Sequence, residues 1–92
     1  MLDTYLRPEV IAFAIVMEYR LRLNDYKGTW KECSLTYLLT RCREELDELL
    51  PAVTGVCPAA YEAADVANFA MMIADKYGYL QEAVEYINAR IS

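Results

Sequence analysis

The sequence predicts an all-α protein, a single four-helix bundle-like domain that spans residues 1–92. Apolar residues recur at helical spacing in four segments, Gly, Pro, Asn and Asp cluster between them, and no segment alternates with the two-residue period of a strand. A chain of 92 residues builds only a small core, while 57% of its residues are hydrophobic. We therefore expect the fold to be completed by association into a homodimer or homotetramer.

The first helix is predicted to begin at Pro8 and to continue to Leu23. Proline is favoured in the first turn of a helix, where its missing N–H costs nothing. Apolar residues then recur every three or four positions, at Val10, Phe13, Ala14, Met17 and Leu21. Asn, Asp and Gly favour turns, so the segment 24–28 is predicted to be a loop.

The second helix has two candidate starts, a capping box from Thr29 to Glu32 and an N-cap at Ser34. Pro51 is predicted to stop it. Its apolar stripe consists of Leu35, Leu38, Leu39, Cys42, Leu46 and Leu49. At about 100° per residue, Glu48 lies roughly opposite this stripe, flanked by Glu44 and Glu45, and acids so placed are by themselves typical of a solvated face.

The third helix is predicted from about Ala59 to Lys76, ending near Gly78, a residue suited to a helix C-cap. Thirteen of the sixteen residues in 59–74 are apolar and lie all round the helix, so we expect protein to enclose it. The fourth helix is short and amphipathic. Its apolar side consists of Leu80, Ala83, Val84, Ile87 and Ile91.

Composition argues against several classes of function. The net charge of −5 disfavours a nucleic-acid partner, because phosphate backbones bind basic surfaces. Cys33, Cys42 and Cys57 form no metal-binding pair and the chain has no histidine, so we expect reduced thiols rather than zinc ligands or disulfides. The longest apolar run, 10–17, is too short to cross a bilayer, and no signal segment is visible. We expect a cytoplasmic protein with no membrane partner.

Two pairs of acids carry the candidate chemistry. Glu62 and Asp65 share one face of the apolar third helix, where carboxylates are costly unless a positive charge compensates them. Glu45 and Glu48 share the same three-residue spacing on the second helix. Helices joined by a short loop tend to pack antiparallel, so the two pairs can face each other. Oxygen ligands of this kind suit Mg²⁺, with Mn²⁺ as a substitute.

Ordinary ion pairing is the alternative. Six of the nine basic residues lie in 20–43, directly before the acidic run 44–48. Such a pattern suits a phosphorylated ligand held through metal ions, and it equally suits surface salt bridges. Glu62 and Asp65 would then sit at the edge of the bundle or pair with arginines such as Arg41 or Arg43.

The acidic motifs resemble those of a known family. Glu44-Glu45-Leu46-Asp47-Glu48 and, thirteen residues later, Glu62-Ala63-Ala64-Asp65 are similar to the Glu-Glu-x-x-Glu and Glu-x-x-Asp hallmark of the MazG-like all-α nucleoside triphosphate pyrophosphohydrolases. The resemblance covers roughly Val10 to Lys76. Its other matching segments are Phe13-Ala14 to Met17-Glu18, Lys27-Gly28-Thr29-Trp30 and Asp65-Val66-Ala67-Asn68-Phe69.

This resemblance implies a hydrolase that splits a nucleoside triphosphate between its α and β phosphates into the monophosphate and pyrophosphate, with cleansing of the nucleotide pool as the role it would serve. The residues that would hold Mg²⁺ are Glu45, Glu48, Glu62 and Asp65. Bound Mg²⁺ neutralises the triphosphate and lowers the pKa of the attacking water. Glu44 would orient or deprotonate that water, or support the ligands from outside.

The resemblance also implies nucleotide contacts. Lys27 would meet phosphate and Trp30 would pack on a base; the alternative is a solvated Lys27 and a Trp30 that fixes the start of the second helix. Asn68 would bond base or sugar, or else satisfy a backbone group. Many relatives hold the nucleotide with a longer C-terminal region, for which this chain offers only Asn88 and Arg90.

Two other functions stay open. The first, within the same superfamily, is hydrolysis of phosphoribosyl-ATP as a phosphoribosyl-ATP pyrophosphohydrolase. In a different class, the chain would be a non-catalytic helical interaction module with a solvated acidic face.

Overall fold

A computed structural model describes residues 5–24, 29–53 and 58–91, with only the backbone described at 58. These residues form four α-helices and two short 3₁₀ turns, and none of them lies in a strand, so the all-α prediction is confirmed. The helices are α1 (Pro8–Leu23), α2 (Leu35–Ala52), α3 (Pro58–Asp75) and α4 (Tyr79–Ile91). The 3₁₀ turns are Trp30–Glu32, before α2, and Lys76–Gly78, between α3 and α4. None of the described helices is long and apolar enough to cross a membrane.

Helix α2 begins at its Ser34 cap and not at the capping box. The Ser34 hydroxyl accepts the backbone N–H of Tyr37 at 3.1 Å, which satisfies a donor that the first turn leaves unpaired. Thr29 instead caps the 3₁₀ turn, where its hydroxyl accepts the N–H of Lys31. That turn is fixed to the end of α3 because the Lys76 ammonium donates to the carbonyl of Cys33.

Pro51 does not stop α2, which continues to Ala52. The predicted stop was wrong by one residue, and the helix passes Pro51 without the N–H bond that a proline cannot donate. Two residues after the proline, the N–H of Val53 bonds the carbonyl of Leu49 at 3.0 Å.

The face by which α2 packs on α3 is rotated from the predicted apolar stripe. Leu38 is fully buried, and Glu45 lies on the same side two helical turns later, 92% buried. Leu35, Leu39 and Leu46, predicted to be core, are exposed. At about 100° per residue the buried face is centred roughly 60° from that stripe. The solvated-face interpretation is therefore wrong for Glu45 and right for Glu44 and Glu48, both of which are exposed.

Helix α3 is central and packs against α2, α1 and α4. Ala64 and Asn68 are buried in these contacts, whereas Ala60, Ala70 and Ala74 are exposed. Enclosure on all sides, as predicted, is therefore not achieved within one chain.

The connection from α3 to α4 is a tight turn with left-handed backbone. Helix α3 ends at Asp75, one residue before its predicted end, and the turn Lys76–Gly78 follows. Tyr77 has φ 65° and Gly78 has φ 80°. Glycine adopts this conformation without steric cost, which agrees with the predicted role of Gly78 at the end of the helix.

The chain leaves much apolar surface uncovered. Among the described residues only Leu38 and Ala64 are buried apolar side chains. The radius of gyration is 14.6 Å, against about 12 Å for a compact domain of this length. The accessible surface is 7030 Å², against about 5,500 Å² for a folded monomer of this mass.

Candidate metal centre

Helices α1, α2 and α3, together with the 3₁₀ turn at Trp30, surround a cleft of about 410 Å³. This volume lies within the range of about 300–1,000 Å³ that is usual for small-molecule sites. Leu38 and Phe69 provide apolar wall, and charged side chains from all three helices enter the cleft. It is therefore a mixed pocket with polar groups that converge from different elements.

Three glutamates meet in this cleft. Glu45 and Glu48 project from α2 and Glu62 from α3, and one carboxylate oxygen of each lies within 4.8 Å of the others. The trio combines both predicted acidic motifs across the α2–α3 contact. Glu45 is buried, Glu62 is half-buried and Glu48 is exposed, so the cluster extends from the helix interface to the surface.

The surroundings of the trio disfavour ionisation of two of its members. Burial raises the pKa of Glu62, and the charges of Asp65 and Glu48 raise it further. Burial also raises the pKa of Glu45, together with its contacts to Glu48. Carboxyl groups at this spacing bond one another only by sharing a proton, and otherwise they need a cation between them.

One oxygen of the trio has no partner. The Oε2 atom of Glu62 is buried and accepts no hydrogen bond from the described residues. Buried polar atoms are nearly always paired, because desolvation without a hydrogen bond costs about 1–3 kcal/mol. This oxygen therefore lacks a hydrogen-bond donor within a cluster of acids, a need that a proton, a water molecule or a bound cation would meet.

Asp65 lies beside the trio and is held by an arginine from α1. The Nε of Arg20 donates to Oδ1 of Asp65 at 3.0 Å, and its Nη2 donates to Oδ2 at 2.8 Å. This ion pair raises the pKa of Arg20. The structure therefore brings Asp65 to the cleft without including it in the cluster of Glu45, Glu48 and Glu62.

A second arginine contacts the cluster from α2. Arg41 donates to Oε1 of Glu45 at 2.7 Å and to Oε2 of Glu44 at 3.1 Å. Glu44 is thus exposed and bonded to Arg41, and it does not itself line the cleft. Arginine pairing is present, but the partner of Asp65 is Arg20, which the sequence interpretation did not single out, instead of Arg41 or Arg43.

Of the proposed nucleotide contacts, Trp30 and Asn68 line the cleft, and Lys27 lies outside the described residues. The indole N–H of Trp30 donates to Asp75 at 3.0 Å. Asp75 does not line the cleft, so this bond fixes the ring while the ring itself borders the cleft. Hydrogen bonds from Lys31 and Trp30 lower the pKa of Asp75. Trp30 thus both fixes the turn before α2 and forms part of the pocket wall.

Asn68 is 96% buried and uses only half of its amide. Its Nδ2 donates to the carbonyl of Met17 at 3.1 Å, which fixes the orientation of the group. Its Oδ1 is buried and accepts no hydrogen bond from the described residues. Asn68 therefore satisfies a backbone group, as one interpretation of the sequence expected, and also leaves an acceptor at the wall of the cleft.

Cys33 lines the cleft, but neither described thiol belongs to the cluster of acids. Cys33 and Cys42 are free and half-buried, and the thiol of Cys42 contacts the carbonyl of Val66 at 3.8 Å. Cys57 lies outside the described residues.

No family model, curated protein or solved structure matches this chain. The site is therefore characterised by its own chemistry. Carboxylate oxygens are donors that hard metal ions accept, and three of them lie within 4.8 Å of one another here. The trio of Glu45, Glu48 and Glu62 thus has the donor set of a hard divalent metal.

Proposed function

We propose that this protein is an Mg²⁺-dependent nucleoside triphosphate pyrophosphohydrolase, with Mn²⁺ as a possible substitute for Mg²⁺. The observation that carries the proposal is the convergence of Glu45, Glu48 and Glu62, from two helices, to within 4.8 Å in a cleft that also contains an unpaired buried oxygen. Carboxylates this close repel one another unless positive charge joins them. A substrate that arrives as a metal–polyphosphate complex supplies that charge.

In this proposal Glu45, Glu48 and Glu62 hold the cation and Asp65 is the fourth ligand. Held by these residues, Mg²⁺ would neutralise charge on the triphosphate and lower the pKa of a bound water. Catalysis then consists mainly of positioning and charge stabilisation, as in phosphoryl transfer generally. Glu44 lies beside the cluster on Arg41, where it can orient the water or support Glu45 through that shared guanidinium.

The nucleoside would bind at the opposite part of the cleft. Trp30 borders it with an indole ring held by Asp75, and such a ring offers a stacking surface for a base. Asn68 remains a proposed contact to base or sugar from the sequence resemblance, and because its Oδ1 is fully buried, a ligand would reach it only after the wall of the cleft opens. Lys27 remains a proposed phosphate contact from the sequence resemblance alone.

The test is hydrolysis of a panel of nucleoside triphosphates, deoxynucleoside triphosphates and phosphoribosyl-ATP with Mg²⁺, with products separated by anion exchange. We expect monophosphate and pyrophosphate, abolished by EDTA. Glu48→Ala should lower the rate at least about a hundredfold, because several kcal/mol of charge stabilisation depend on the cation. Asp47→Asn is the matched control, since Asp47 lies on the solvated side of α2.

Two outcomes of this experiment contradict the proposal. Release of orthophosphate would mean attack at the γ phosphate and a different reaction. No release by a well-folded protein would favour the alternative, a non-catalytic interaction module, which the exposed apolar side chains of α1, α2 and α4 also fit.

We further propose that the functional unit is a homodimer that buries the apolar side of α4. Leu80, Val84, Ile87 and Ile91 form this side and are between 38% and 53% exposed. The chain exposes about 1,500 Å² more surface than a monomer of its mass. A standard interface buries about 800 Å² per partner and obligate ones bury more, so a second copy accounts for the excess.

A further inference from the structure

We propose that Arg20 is a positioning residue that holds Asp65 before substrate binds and transfers to the substrate's polyphosphate when Asp65 becomes a metal ligand. This inference rests on the proposed function and deepens it. Binding of the divalent cation and of the polyphosphate then becomes cooperative. A cation that takes Asp65 frees Arg20 for the polyphosphate, and a polyphosphate that takes Arg20 frees Asp65 for the cation.

The geometry of the Arg20–Asp65 pair sets up the competition. Both carboxylate oxygens of Asp65 accept hydrogen bonds from the guanidinium, at 3.0 and 2.8 Å. The carboxylate is 84% buried and the guanidinium side chain about three-quarters buried, so bulk water screens the pair only partly. Asp65 can therefore contribute an oxygen to a cation only after Arg20 gives up at least one of these bonds.

The surroundings of Arg20 allow it to turn without leaving the cleft. Its guanidinium carbon lies 5.1 Å from the centre of the Tyr61 ring, a stacking contact that tolerates rotation of the N–H groups in its plane. Arg20 also lines the cleft. Its planar fork matches a phosphate group as well as it matches a carboxylate.

The charges in the cleft favour such an exchange. Its charged lining consists of four carboxylates, Glu45, Glu48, Glu62 and Asp65, and two guanidinium groups, Arg20 and Arg41. With all six groups ionised, these leave two net negative charges, which one divalent cation neutralises. A polyphosphate that enters afterwards adds negative charge. It needs a cationic group that is no longer paired with a carboxylate, as Arg20 would be after it releases Asp65.

Arg20 is better placed for this role than Arg41. Arg41 pairs with Glu44 and Glu45 on its own helix, at three- and four-residue spacing that persists wherever α2 is folded. The Arg20–Asp65 pair instead joins α1 to α3 across 45 residues of sequence. Only this second pair engages a predicted metal ligand outside the cluster of three.

The test measures binding to the full chain by calorimetry, with Mn²⁺ alone, inorganic tripolyphosphate alone and the preformed Mn²⁺–tripolyphosphate complex. Arg20→Gln should bind Mn²⁺ at least as tightly as wild type, because the competitor for Asp65 is gone. It should bind the complex about ten- to hundredfold more weakly, the loss expected for charge-assisted hydrogen bonds. Arg22→Gln is the control, since Arg22 is exposed on the same helix.

Asp65→Asn gives the reciprocal readout, which a merely structural ion pair would not produce. Freeing Arg20 should strengthen binding of tripolyphosphate alone while it weakens binding of Mn²⁺. Weaker Mn²⁺ binding by a folded Arg20→Gln variant, or unchanged tripolyphosphate binding by Asp65→Asn, overturns the inference and leaves the proposed function standing. Wild type that binds no Mn²⁺ overturns the proposed function, and this inference with it.

Discussion

At the scale of single residues, Glu62 is the most informative side chain of the molecule. Its carboxyl group is partly buried, one of its oxygens has no hydrogen-bond partner among the described residues, and its neighbours are acids. Such a group costs folding free energy whenever it is ionised without a compensating charge. A cation bound to the Glu62 carboxylate would offset this cost.

Replacing Glu62 by Gln should therefore stabilise the protein when divalent cations are chelated. We expect the free energy of unfolding at pH 7.5 in EDTA to rise by about 1 kcal/mol, because the substitution removes the charge and keeps the volume. The same variant should lose the increase in melting temperature that Mg²⁺ gives wild type by mass action. Urea unfolding and thermal melting measure the two effects, and Asp47→Asn is the matched control.

The gain should depend on pH in a defined direction. Since the pKa of Glu62 is raised above the ordinary 4.5 in the folded protein, the native state binds the proton more tightly than the unfolded state. The contribution of Glu62 to the free energy of unfolding is thus fully present below about pH 4.5. It is lost as pH rises through the pKa of Glu62 in the folded protein. The advantage of Glu62→Gln should vanish on acidification. An advantage that persists at low pH would mean that charge is not its cause.

At the scale of elements, α2 decides where the acids lie. Its start at Ser34 and the burial of Leu38 together direct Glu45 toward α3. A helix that had turned the centre of its leucine stripe toward α3 would have left Leu38 and Glu45 at the edge of the packed face. The rotation exposes Leu39 and Leu46 and brings two carboxylates of α2 next to Glu62.

Ser34→Ala tests how far α2 depends on its cap. Loss of the hydroxyl leaves the N–H of Tyr37 without its acceptor, so the free energy of unfolding should fall by about 1 kcal/mol. Thr40→Ala is the control, because it removes a hydroxyl from an exposed position in the middle of the same helix. Equal effects of the two variants in urea unfolding would show that the cap contributes nothing specific.

At the scale of the whole molecule, the single chain has a larger accessible surface and a larger radius of gyration than a compact monomer of its length. Helix α4 packs mainly against α3, and all of its described residues except Asn88 are exposed. An isolated helix of 13 residues is marginally stable in water, so most helical stability has to come from packing of its apolar side. A second copy of the chain provides that packing in the homodimer proposed above.

Ile87→Glu should disrupt this association. We expect sedimentation equilibrium to give about twice the chain mass of 10.6 kDa for wild type and the single chain mass for the variant, since a charge in a buried apolar contact is strongly unfavourable. Ala89→Glu adds the same charge on the opposite side of α4 and should remain dimeric. A monomeric wild type, or dissociation by Ala89→Glu alone, would contradict the proposed interface.

The sequence by itself determined the number, order and approximate bounds of the helices. This information is local: the first-turn position of Pro8, the hydroxyl of Ser34 and the conformational freedom of Gly78 act within a few residues of their own backbone. The spacing of Glu45, Glu48 and Glu62 was also readable, because three-residue steps place side chains on one helix face and a short connection favours antiparallel packing.

Only the tertiary structure decided which groups meet. The pairing of Arg20 with Asp65 and of Trp30 with Asp75 each spans 45 residues, and no local pattern encodes a contact at that distance. The rotation of α2 is likewise set by packing against α3, since a helix of given periodicity can turn about its axis at little local cost. Local hydrogen bonding thus fixes the elements of this protein, whereas packing among them fixes the site.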